Sequence, residues 1–132
     1  MSRRSRAREV ALQILFEDDV NSRDSVEALE SFISARLKSE ELEKFALSLI
    51  LGVRRNQQEL DDMLAKTAEN WSVERMAATD RNVLRLGAFE ILYAETPDRV
   101  AVNEAVELAK RFGSKNSAPF VNGILDKLIH RE

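Results

Sequence analysis

Arg3, Arg4, Arg6 and Arg8 stand within the first eight residues with no acidic side chain among them. A guanidinium offers a planar fork of donors that can meet two phosphate oxygens at once and stack on a base. Such a segment is expected to form a flexible arm that orders on RNA, although a solubilising tail would carry the same charges. A second basic group, Lys110, Arg111 and Lys115, surrounds Phe112 and Gly113. An exposed Phe112 would give a base a stacking platform, whereas a buried one would be the apolar contact that closes a helix. Trp71 and Tyr93 could also stack on bases, and Asn103 and Asn122 could read base edges. Packing and local helix pairing compete for these four residues.

Catalytic chemistry finds less support. The doublets Asp18 with Asp19, Glu40 with Glu41 and Asp61 with Asp62 are adjacent in sequence. Neighbours on a helix point apart, so they are expected on solvated faces rather than as converging acid/base pairs. Glu104 and Glu107 share a face, but Lys110 and Arg111 follow within one turn and make ordinary helix ion pairs the simpler account. The chain has no Cys and a single His, His130, which removes thiolate chemistry and the usual zinc sets. Gly52, Gly87, Gly113 and Gly123 are isolated from one another, so no phosphate loop is present. The expectation is a non-catalytic protein without cofactor or metal.

Charge is segregated along the chain. The net charge is -3, but residues 9–132 carry 16 basic and 23 acidic groups, a net of -7. That separation gives the beginning of the chain an electrostatic character opposite to the rest. With 44% hydrophobic residues over 132 positions, one globular domain can fold without staples. No apolar run reaches the roughly 20 residues of a membrane span, and a cytoplasmic location is expected.

The elements that must position these residues all follow a helical period. The first helix is expected from the arginine arm to about Asp19, with Ala7, Val10, Ala11, Ile14 and Leu15 on one face. A box of Asp24 and Glu27 suggests the cap of a second, ending near Leu37. A spine of about 27 residues, by the spacing of Leu42 to Leu64, starts at Ser39. Ser72 is the expected cap of a short helix through Met76, and Thr79 or Asp80 of a longer one through Tyr93. A sixth follows Pro97 and ends at Gly113, placed for a left-handed cap. The seventh starts near Pro119.

Three segments carry a family likeness: RRSRAREVALQILFE, NWSVERMAATDRNVLRLGAFEILY and RVAVNEAVELAKRFGSKNSAPFVNGILDKL. Together they resemble the NusB transcription antitermination family over nearly the whole chain, least in residues 20–60 and most specifically in VNEAVELAKRFG and FVNGILDKL. The resemblance implies an all-α fold of two perpendicular helical bundles, with residues 1–132 as a single RNA-binding domain. It further implies binding to the BoxA element of ribosomal RNA leader transcripts together with NusE, a small-subunit ribosomal protein. The pair then helps build a complex on RNA polymerase that suppresses termination.

Carried over by position, Arg3, Arg4, Arg6 and Arg8 would hold RNA phosphates. Lys110, Phe112, Lys115 and Asn116 would line the adjoining surface, and Arg85 would extend it. Phe16, Glu74 and Asp80 match positions expected at the NusE interface, where acids suit a basic protein. Relatives can carry an acid at the position of Asn116, and a neutral amide there removes repulsion from phosphate. A homodimer is compatible with the family. The related RNA-binding domain of ribosomal RNA cytosine methyltransferases needs a catalytic domain, and neither a nucleotide-binding fingerprint nor a catalytic Cys occurs before Glu132. A helical adaptor that binds only proteins remains the alternative.

Overall fold

The computed structural model describes residues 2–21, 24–69 and 71–131, and all regular structure among them is helical. There are six α-helices: α1 Arg3–Val20, α2 Val26–Leu37, α3 Glu40–Ala68, α4 Ala78–Tyr93, α5 Asp98–Phe112 and α6 Ser117–Ile129. The short helix expected after Ser72 is a single 3₁₀ turn, Val73–Arg75. Two compact units, residues 1–54 and 55–132, divide the chain within α3.

In the first unit, residues 3–8 of the flexible arm expected over residues 1–8 are instead the opening of α1; residue 1 lies outside the described residues. Ser2 caps that helix, its Oγ accepting the Ser5 N–H at 3.1 Å. Arginine is a good helix former, so nothing local prevents the helix from starting at Arg3. The expected apolar face, Ala7, Val10, Ala11, Ile14 and Leu15, is buried. α2 is capped by Ser25, not by the Asp24 box, because the Ser25 hydroxyl accepts the Ala28 N–H. It closes on Lys38 at φ 53°, a left-handed position that a non-glycine residue holds at a cost of about 1 kcal/mol. Ser39 then accepts the Leu42 N–H at 3.5 Å as α3 begins. Three glutamates, Glu40, Glu41 and Glu43, occupy the first turn of α3, where negative charge suits the helix dipole.

Asp18 overturns the solvated reading of the first acidic doublet. Its carboxylate accepts two bonds from Arg54, at 2.7 and 2.8 Å, and its side chain is 8% exposed. The same guanidinium donates to the Asp24 carbonyl.

In the second unit α4, α5 and α6 each pack on the other two. Gly87 permits this closeness: a Cβ there would stand 2.7 Å from Leu125 Cδ1 and 3.2 Å from Ala105 Cβ. Val83, Leu84, Leu86, Ala105, Leu108, Leu125 and Leu128 are buried, each large member stabilising the fold by about 1.5–3 kcal/mol. α4 starts after Ala77 without a side-chain cap, rather than at Thr79 or Asp80. Asp80 lies in its first turn and acts on the dipole instead. α6 begins two residues before Pro119, at Ser117.

Candidate nucleic-acid interface

The four N-terminal arginines lie on one helix but divide into two roles. Arg3, Arg4 and Arg6 are exposed, whereas Arg8 is 4% exposed. Arg8 and Arg4 both stack on the Phe45 ring, at 5.1 and 4.4 Å from its centroid. Arg3 donates to the Ser39 hydroxyl at 3.2 Å, and Arg6 pairs with Glu9 at 3.1 Å. Arg8 thus anchors the start of α1 rather than reaching for phosphate. The other three form a basic surface with no acid in the first turn of the helix, so like charges crowd a terminus whose dipole is already positive. That is unfavourable in the free protein and favourable to an anion.

The second group forms at the corner where α5 meets α6. Gly113 is extended there, at φ -95° and ψ -166°, and not the left-handed cap expected from its position. Glycine is needed for space. A Cβ at 113 would lie 2.3 Å from Ser117 Oγ and 2.8 Å from the Ala109 carbonyl. Ser117, 2% exposed, accepts the Ser114 N–H at 2.9 Å and so closes the turn. The turn holds Lys115 and Asn116 outward, with Phe112 49% exposed beside them and Arg111 over the Phe112 ring at 5.5 Å. Lys110 pairs with Glu107, as the helix spacing suggests. The corner therefore brings together Lys110, Phe112, Lys115 and Asn116, and resolves Phe112 as an exposed ring.

Arg85 does not extend that surface. It is 6% exposed, and its guanidinium donates to both Asp61 oxygens, at 2.8 and 2.9 Å, and to the side-chain Oδ1 of Asn82. Burial explains the difference: a guanidinium removed from water needs a matching carboxylate. Asp61 is in turn no freely solvated member of its doublet.

Of the residues expected at a protein interface, Phe16 is 39% exposed on α1 and Glu74 is exposed in the 3₁₀ turn. Asp80 is half-buried, and its Oδ1 is buried without a hydrogen-bond partner among the described residues. Arg81, which local pattern did not single out, bonds the carbonyls of Val73, Glu74 and Met76 and so fixes the turn that presents Glu74. Its only sequence signal is that it follows Asp80 in the first turn of α4.

Tyr93 is exposed but engaged. Its hydroxyl donates to Glu59 at 2.6 Å, and this bond, followed by burial and the carboxylate charge, raises the phenol above its ordinary 10.0. Trp71 is 55% exposed against Phe120. Asn103 and Asn122 are exposed. Among the described residues no group of His, Asp and Glu could hold a metal ion, and no helix is long and apolar enough to cross a membrane.

This arrangement has known counterparts. The chain is 44% identical over 128 residues to the transcription antitermination protein NusB of Anaeromyxobacter dehalogenans, covering 96% of this chain and 90% of that one. Among solved structures, T. maritima NusB superposes with a TM-score of 0.86 at 34% identity, over 100% of this chain and 93% of that one. Antitermination factors NusB and NusE in complex with dsRNA contain a chain with a TM-score of 0.87 at 24% identity, over 98% of both, a likeness that bears on the fold. The family model described as NusB family matches residues 5–130, and with that coverage the chain belongs to the NusB family.

Proposed function

We propose that this chain is a non-catalytic antitermination factor that binds BoxA RNA of ribosomal RNA leader transcripts together with NusE, and joins the antitermination complex on RNA polymerase in the cytoplasm. The observation that carries the RNA reading is the first turn of α1, where Arg3, Arg4 and Arg6 crowd the positive helix terminus. A phosphate there gains from the guanidinium forks, the dipole and the release of counterions together. The α5–α6 corner adds Lys110, Lys115, Asn116 and the exposed Phe112 ring, a combination suited to single-stranded RNA. The curated relatives, named transcription antitermination protein NusB, support the antitermination role.

Residues 1–132 would act as one binding domain, with sequence choice assigned to the corner and phosphate holding to α1. Phe16, Glu74 and Asp80 would meet the basic partner protein NusE. A composite site explains how an acidic protein holds RNA, because the partner contributes its own positive charge and raises the local concentration of binding groups. Three carboxylates withdrawn from solvent are each held by a partner: Asp18 by Arg54, Asp61 by Arg85 and Glu90 by the Thr96 hydroxyl.

Filter binding of BoxA and scrambled RNA, with and without NusE across a salt series, tests this reading. BoxA should bind more tightly, NusE should strengthen that preference, and affinity should fall as salt rises. Equal and weak binding of both RNAs under all conditions would instead favour a protein-binding adaptor.

A further inference from the structure

Trp71 is the only tryptophan of the chain, and 55% of it is exposed. It lies in the segment between α3 and the 3₁₀ turn, after Glu69 has turned the backbone through a left-handed position at φ 46°. A large ring left in water is unfavourable by its apolar area, so simple packing is a poor account of it. The side chain is nevertheless held. Its ring meets Phe120 at a centroid distance of 5.0 Å and an interplanar angle of 71°, an edge-to-face contact. Such a contact fixes the orientation of the indole and leaves broad ring surface to solvent.

Phe120 places this aromatic pair beside the basic corner. It stands one turn into α6, with its N–H bonded to the Asn116 carbonyl at 3.3 Å. One helical pitch of ~5.4 Å and the ring contact thus lead from Asn116 to Trp71. Glu69 and Glu74 are exposed nearby in the chain, so the position suits an uncharged base face better than a phosphate.

We propose that Trp71, oriented by Phe120, is a base-stacking platform that extends the RNA surface beyond the α5–α6 corner. The proposal rests on the RNA reading above and adds a residue to it. A strand whose phosphates meet Lys115 would pass Asn116 and lay an unstacked base on the indole. Phe120 is a positioning residue here, and the contact is tolerant of base identity because every base has a π-face.

The test uses the whole chain and a single-stranded BoxA RNA at fixed salt, following tryptophan emission and filter binding together. Emission should be quenched with the same saturation curve as binding. Trp71→Leu, which keeps an apolar group against Phe120 but no π-face, should weaken binding roughly tenfold, and Trp71→Phe should retain most of it. Comparing thermal midpoints of the variants separates a lost stack from a loosened fold. Unquenched emission together with unchanged affinity of Trp71→Leu, while the natural chain binds RNA, overturns the proposal and leaves the RNA reading standing. Quenching by NusE without RNA also overturns it, by making Trp71 a protein contact. If the natural chain binds no RNA at all, the functional reading fails first and the platform with it.

Discussion

The basic start of α1 and the α5–α6 corner use positive charge in different ways. On α1, Arg3, Arg4 and Arg6 are set along one helix opening behind a serine cap, and each is ordered singly, by the Ser39 hydroxyl, the Phe45 ring and Glu9 in turn. Around the corner the charges are equal in number, Lys110, Arg111 and Lys115, but a glycine without room for a methyl group, a buried Ser117 and an exposed ring fix their geometry. The first arrangement can attract any polyanion; the second can favour one shape. Affinity and selectivity can therefore be altered separately.

The largest effect should come from Gly113→Ala. Its new Cβ would meet Ser117 and the Ala109 carbonyl, so overpacking of about 1–3 kcal/mol is expected in chemical denaturation, with loss of RNA preference. Gly123→Ala is the counterpart, since a Cβ there meets nothing within 4 Å and helix propensity should add about 0.5–1 kcal/mol of stability. If both substitutions change stability equally, the corner is not held by close packing.

Replacing Arg3, Arg4 and Arg6 together by Ala should weaken BoxA and scrambled RNA alike. The slope of log affinity against log salt should become shallower by about 2, at roughly 0.7 per phosphate on a single strand. An unchanged slope would remove α1 from phosphate binding. The smallest effect belongs to Asn116→Asp, which adds a negative charge at the corner without altering size. Repulsion of about 1 kcal/mol, or roughly fivefold in affinity at low salt, is expected. Equal affinities of the two forms would show that no phosphate passes this position.

Much of the fold was legible in periodicity, because a buried helical face repeats locally. Ala7, Val10, Ala11, Ile14 and Leu15 were readable for that reason. Caps were less so: Ser25 takes the role expected of Asp24, since several neighbouring side chains could accept the same N–H. Sequence marks Gly113 at a helix end by its backbone freedom, whereas its neighbour Ser117 imposes the requirement through space. Arg85 looked like any basic surface residue because its partner, Asp61, stands 24 positions away. Asp18 and Asp19 could not be told apart either, since Arg54 is 36 positions from the aspartate it holds. The exposed rings of Phe112 and Trp71 lay beyond local pattern in the same way, because exposure depends on what packs over a residue.

The opening of α1 also bears on local stability. Three exposed guanidinium groups at a positive helix terminus oppose the helix they begin, so its first turn is held partly by Ser2 and Phe45. An RNA phosphate bound there would relieve that opposition. Some of the binding free energy would then reappear as resistance of the terminal amides to opening and hydrogen exchange, which makes the bound strand a stabilising ligand of the protein.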